Sequence, residues 1–298
     1  MNLIFNNQIS IFEDIFYKYL TPKQCVKFYS SNKILYYIYL KYNKFEDYYF
    51  TPKTKEELKN AVNNWCSNRE EAIIKYNNIS FWNTIYITNM HYLFQDKQEF
   101  NDDISDWNTS NIIKMYSMFC GAKKFNKPLN NWNTSNVFDM GCMFANTLSF
   151  NQPLNKWNTS NVKNMSYMFY RANKFNQSIE NWNTSNVINM SCMFEYAINF
   201  NQPIENWNTS NVNDMSKMFY RAQEFNQSID NWDISNVKSM ISMFYEAHKF
   251  NQSIGKWNIS NVIFMDSMFT NAKNFEKSNC SNWGISYIRD LFMFCNTK

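Results

Sequence analysis

Tryptophan occurs at positions 82, 107, 132, 157, 182, 207, 232 and 257, and then at 283 after one inserted residue. A fixed 25-residue interval constrains this chain more than any other feature, because a period of 20–50 residues is the mark of a stacked array of like units. The rest of the unit keeps the same register. Trp157 is followed by Asn158-Thr159-Ser160-Asn161-Val162, then Met165, Met168, Phe169 and Ala172, and Phe175-Asn176 leads to the next unit. The spacing i, i+3, i+4, i+7 of Met165, Met168, Phe169 and Ala172 predicts one apolar face of a short helix. The preceding residue is Asn89, Asp139, Asn164, Asn189, Asp214 or Ser239 in six units, all good helix N-caps. The Thr159 position becomes Ile at 234 and 259, a β-branched exchange that predicts a short strand. One such unit cannot outweigh the entropy of ordering its own backbone, so neighbours must stack. The asparagines of Trp-Asn-Thr-Ser-Asn are expected to form a side-chain ladder that satisfies backbone groups left open by the turns.

Phe150 to Gln177, FNQPLNKWNTSNVKNMSYMFYRANKFNQ, resembles the BspA-like surface-protein repeat, a relative of the leucine-rich repeats found in bacteria, protists and giant viruses. The resemblance covers residues 80–298, about nine units. It implies an α/β repeat solenoid, leucine-rich-repeat-like, with a short strand and a short helix per unit and a binding role. The slip before Trp283 and the loss of the Met-Phe pair at Phe294-Cys295 are expected to mark a degenerate last unit. Residues 51–79 read as a helical cap over the first open rung, through Pro52 to Cys66 and Arg69 to Tyr76.

Residues 1–50 differ in kind and complete an all-α N-terminal region. Ile11 to Leu20 has apolar residues at helical spacing, Thr21-Pro22 fits an N-cap followed by Pro at N1, and a further apolar stretch runs from Ile34 to Phe45. This three-helix outline is similar to an F-box, which docks Skp-type adaptors of cullin–RING ubiquitin ligases. The usual Leu-Pro opening is absent, with Ile11-Phe12 in its place. The similarity implies adaptor docking by Ile11, Phe12, Ile15, Phe16, Leu20 and Pro22. A helical cap packed on the array is the plainer alternative.

The chemistry expected of an enzyme is missing from the sequence. His91 and His248 are the two histidines and stand in different repeat positions. There is no GxSxG, GxxxxGK[ST] or HExxH, and four glycines leave no phosphate-cradling loop. The methionines recur at core spacing, so no metal, cofactor or small-molecule substrate is expected. A net charge of +4 with scattered Lys and Arg makes no basic stripe for nucleic acid. No apolar run approaches the roughly 20 residues of a membrane span, and the N-terminus carries Glu13 and Asp14 where an export signal needs basic residues. Seven cysteines without a CxxC read as free thiols in a reducing compartment. Cys142 and Cys192, two repeats apart, would be too distant for a disulfide.

Specificity must therefore come from the two variable residues after the Phe169 position. Tyr170, Arg171, Tyr196, Tyr220, Arg221 and Tyr245 are residue types favoured at interface hot spots and are the candidate partner-binding residues. Two functions follow: an intracellular ligase adaptor that captures a protein substrate, or an exported surface or adhesion protein. Asn-x-Ser/Thr sequons recur at Asn108, Asn133, Asn158, Asn176, Asn183, Asn208, Asn226, Asn251 and Asn258. Glycans there would obstruct a packed ladder, which favours the cytoplasm, the host's if the source is a virus.

Overall fold

A computed structural model describes residues 50–284 and 293–294. The chain divides into a unit ending at Thr84 and a second beginning at Ile85.

In the first unit, α1 (Lys55–Ser67) starts where Thr54 accepts a hydrogen bond from the Glu57 amide, with Glu56 and Glu57 on the positive end of the helix dipole. Leu58, Ala61, Val62 and Trp65 form its buried stripe. Asn68 ends α1 and also caps α2 (Arg69–Tyr76), accepting from the Glu71 amide while its side-chain amide donates to the Glu71 carboxylate at 2.9 Å. Trp82 is buried, its ring edge-on to Trp65 and Phe50.

The second unit is a stack of 25-residue turns in strict register. Single-residue parallel bridges run Asn89, Lys114, Asp139, Asn164, Asn189, Asp214, Ser239, Phe264. Equivalent side chains lie directly over one another. Phe94, Phe119, Phe144, Phe169, Phe194, Phe219, Phe244 and Phe269 stack with centroids 5.4–5.7 Å apart where consecutive pairs are measured. A second file runs from Phe100 to Phe275, and a third joins the tryptophans from Trp157 to Trp283. Met165, Met168, Phe169, Val162 and Ala172 are fully buried, as are their equivalents in the neighbouring units.

The helix expected at Met165–Ala172 does not form. That segment is a run of turns in which amides alternate between two destinations. Met168, Tyr170 and Ala172 donate to Met165, Tyr167 and Phe169 within the unit. Met165, Tyr167, Phe169 and Arg171 donate instead to Asn189, Ser191, Met193 and Glu195 of the next unit, at 2.8–3.0 Å. The alternation needs left-handed backbone every fourth residue, and Tyr167 and Arg171 have φ of 56° and 55°. Turns closed three residues back bring Met165, Met168, Phe169 and Ala172 to one side much as a helix would, so their spacing does not separate the two structures. A helix would use those amides internally and leave only the few backbone bonds outside the run, such as Lys163 to the Phe138 carbonyl at 2.9 Å, to join neighbouring units. Here the shared amides all point toward the following unit, which aligns their peptide dipoles along the stack.

The strand expected at Trp157–Val162 does not form either: the segment turns at Ser160–Asn161, where the Val162 amide donates to the Thr159 carbonyl at 3.0 Å. Thr at the 159 position is there for its hydroxyl. Thr109, Thr134, Thr159, Thr184 and Thr209 are buried and donate to the carbonyl of the next unit at 2.9–3.0 Å. Five of the six residues read as helix N-caps close an Asx turn instead: side-chain oxygens of Asn89, Asp139, Asn164, Asn189 and Asp214 accept from the amide two residues on, whereas the Ser239 hydroxyl meets that of Ser216 at 2.6 Å.

Of the two asparagines in Trp-Asn-Thr-Ser-Asn only the second bridges units; the first accepts locally, as Asn158 does from the Ser160 amide at 3.0 Å, and a second file runs instead through the asparagine after the Phe175 position. Asn111, Asn136, Asn161, Asn186, Asn211, Asn236 and Asn261 donate to a carbonyl of the preceding unit at 2.7–2.8 Å. Asn101, Asn126, Asn151, Asn176, Asn201 and Asn226 each accept from the backbone amide 25 residues later. Each indole from Trp132 to Trp257 donates to a buried carbonyl one unit back.

The last unit is less degenerate than its tryptophan slip suggests. Met293-Phe294, not Phe294-Cys295, is the Met-Phe pair in register: Phe269 donates to the Met293 carbonyl at 2.9 Å, and Phe294 stacks on Phe269 at 5.0 Å. A 3-10 segment, Lys277–Trp283, precedes this pair and still delivers Trp283 onto Trp257.

Candidate functional site

The left-handed residues decide what the stack shows to solvent. Tyr167 and Arg171 are exposed and Tyr170 is half-buried, while Met168, Phe169 and Ala172 turn inward; in other units small residues at these positions, such as Ser117, Ala145 and Cys192, are buried. All six residues singled out for partner binding fall on two of these positions, and stacking makes them one continuous surface. The Arg171 guanidinium lies over the Tyr170 and Tyr196 rings at 5.2 and 5.0 Å. Arg221 lies over Tyr196 and Tyr220 at 5.3 and 5.6 Å, and its Nη1 donates to the Tyr196 hydroxyl at 3.0 Å. Tyr220 and Tyr245 stack face to face at 4.6 Å. Tyr196 therefore sits between two arginines, the arrangement in which ring quadrupoles and cations attract.

Three further groups belong to this surface. Glu246 pairs with Arg221 through Oε2 to Nε at 2.8 Å and Oε1 to Nη2 at 3.0 Å. Lys217 lies over the Tyr220 ring at 5.7 Å. Tyr167 is edge-on to Tyr170 at 5.8 Å and 40% exposed, so the aromatic band reaches solvent there. The helical reading hid Lys217 and Tyr167, because it confined variation to the two residues after Phe169. Charge variation at the 167 position (Tyr, Cys, Lys, Ser) was the signal available to find them.

The electrostatics follow from half-burial. Burial raises the Tyr170 and Tyr220 hydroxyls above their ordinary range, with the adjacent arginines opposing the shift. The hydrogen bond to Glu246 raises Arg221 further. Burial pushes the Cys192 thiol up to about 12, and its hydrogen bond is the first cause of a raised Tyr167. The Cys192 thiol is thus held neutral, the opposite of what a nucleophile needs. Cys120, Cys142 and Cys192 are free thiols among the described residues. Cys142 donates to the Tyr116 hydroxyl at 3.5 Å. Among the described residues no group of three His, Cys, Asp or Glu could hold a metal ion, and no helix is long and apolar enough to cross a membrane. Ile11, Phe12, Ile15, Phe16, Leu20 and Pro22 lie outside the described residues.

A repeat whose backbone registers hold from residue 89 to 294 is the feature a family model would detect. The family described as "Mycoplasma protein of unknown function, DUF285" matches residues 57–180, 149–247 and 202–298. The chain belongs to this family. The DUF285 matches overlap along the array, and the first begins inside α1. No curated protein and no solved structure matches the chain.

Proposed function

We propose that this DUF285 protein is a non-enzymatic protein-binding scaffold, its units stacked as a solenoid and its partner read by the Tyr/Arg band from Tyr167 to Glu246. The observation that carries the reading is the convergence of Tyr170, Arg171, Tyr196, Tyr220, Arg221 and Tyr245 into one surface of mutual cation–π and stacking contacts. Rigid aromatic side chains already ordered by their neighbours lose little entropy on binding. Within this reading residues 1–50 serve as the F-box-like tether to a Skp-type adaptor.

Affinity capture from cell extract tests both parts with the full-length chain. Tyr220→Ala with Arg171→Ala should lose the scaffold's partner but keep adaptor and cullin, and Ile15→Asp with Phe16→Asp should do the reverse. Recovery of the same proteins by all variants would sink the scaffold reading, and absence of adaptor and cullin from every capture would sink the tether.

The exported alternative is favoured by a different observation. Asn108, Asn133, Asn158, Asn183, Asn208 and Asn258 are exposed, so glycans there would not obstruct the stack. The obstruction holds only for half-buried Asn176, Asn226 and Asn251, which accept cross-unit hydrogen bonds. Expression through a secretory pathway followed by mass spectrometry of these asparagines separates the two locations.

A further inference from the structure

The repeat supplies its own control for reading an unfilled site. Arg171, Tyr196, Arg221 and Glu246 occupy one register in four successive units. Arg221 finds a carboxylate one unit on: Glu246 Oε1 accepts from Nη2 at 3.0 Å, and Oε2 lies 2.8 Å from Nε, close enough for an ion pair although Nε makes no hydrogen bond. Arg171 has the same backbone, with φ of 55° against 56°, and the same tyrosine support, but the next unit presents Tyr196 where Arg221 meets Glu246. Arg171 is exposed and makes no ion pair within 4 Å among the described residues. Lys217, exposed beside Tyr220, makes none either. Two cations are thus held over aromatic rings without the counter-charge that the neighbouring unit shows the register can accept.

We propose that the Tyr/Arg band recognises an extended acidic protein segment, one carboxylate of which occupies on Arg171 the place that Glu246 occupies on Arg221, with Lys217 engaging a second. The inference rests on the scaffold reading above and adds the partner's chemistry to it. Tyrosine rings flanking each cation would exclude water from the incoming pair and pack against apolar residues between its acidic ones. Glu246 also limits the band: by occupying Arg221 it leaves Arg171 as the open guanidinium.

Fluorescence anisotropy with a labelled copolymer of glutamate and tyrosine tests this on the full chain, with a lysine–tyrosine copolymer and heparin as competing chemistries. Arg171→Glu should weaken the glutamate–tyrosine probe by at least about tenfold, the loss of one charge-assisted pair. Lys156→Glu, an exposed lysine in the turn before Trp157 of the same repeat and an equal change in net charge, should alter affinity less than about twofold if the contact is local. Glu246→Gln should tighten binding about threefold by releasing Arg221, a gain that a damaged fold cannot produce. Equal losses from Arg171→Glu and Lys156→Glu would overturn the proposal, as would tighter binding of the lysine copolymer or of heparin. No binding of the glutamate–tyrosine probe also overturns it. The scaffold reading itself falls only if the Tyr220→Ala and Arg171→Ala chain captures an unchanged set of proteins.

Discussion

Lys217 offers a test in which the helical and the observed backbones predict opposite signs. It stands at the left-handed position of its unit, φ 56°, exposed, with its ammonium over Tyr220. Lys217→Ala and Lys217→Gly both remove that contact, so the difference between the two variants reports the backbone. In a helix, glycine is about 1 kcal/mol less stable than alanine. At φ 56° an L-residue carries a penalty of about 1–2 kcal/mol that glycine lacks, offset by about 0.5–1 kcal/mol of extra chain entropy. The Lys217→Gly chain should therefore be the more stable by about 1 kcal/mol, roughly 2 kcal/mol away from the helical expectation. Urea unfolding followed by tryptophan fluorescence reads the difference, since Trp207 and Trp232 lie buried in the same stack. Asn60, exposed within α1, supplies the reference, where alanine should exceed glycine. If alanine exceeds glycine at position 217 as well, the alternating ladder is refuted.

Three other outcomes follow from the packing. Phe194→Ala, at a fully buried ring stacked on Phe169, Phe200 and Phe219, should cost about 3–5 kcal/mol in urea unfolding; Phe294→Ala, whose ring packs on Phe269 and Phe275 and has no described unit beyond it, should cost about half as much. Asn186→Ala removes the 2.7 Å donor to the Ser160 carbonyl and should cost about 1 kcal/mol, with faster amide exchange confined to the adjoining units. Cys192, raised from 9.0 to about 12 by burial, stays protonated when the unfolded thiol has ionised, so its contribution is complete below about pH 9 and lost as pH rises toward 12. Urea midpoints at about pH 7.5 and 10.5 should thus fall less for Cys192→Ser than for the parent chain.

The Tyr/Arg band was legible in part, and the reason is physical. Tyr170, Arg171, Tyr196, Tyr220, Arg221 and Tyr245 stood out because they vary where the landmarks do not. Their joining into one surface required only that units stack in register. Lys217 was not assigned, because its role depends on which side of the turn run each fourth residue takes. Glu246 lies in the register of Arg171 but is not of the tyrosine and arginine types that mark interface anchors.

The 25-residue period by itself determined which landmark side chains are buried and which positions vary, since any in-register stacking of these units gives those results. Which asparagines bridge depended on the turns, for Asn161 and Asn176 bond across units while Asn158 bonds within its own. The local backbone was decided by tertiary structure. Apolar residues three and four apart satisfy a helix and a chain of three-residue turns equally well. Tyr167, Cys192 and Lys217 carry no glycine-like signature of positive φ. What holds them left-handed is a hydrogen bond from each to a carbonyl one unit away, at Ser191, Ser216 and Ile241. Such partners exist only once the neighbouring unit is in place, so the conformation belongs to the stack and cannot be read from one unit.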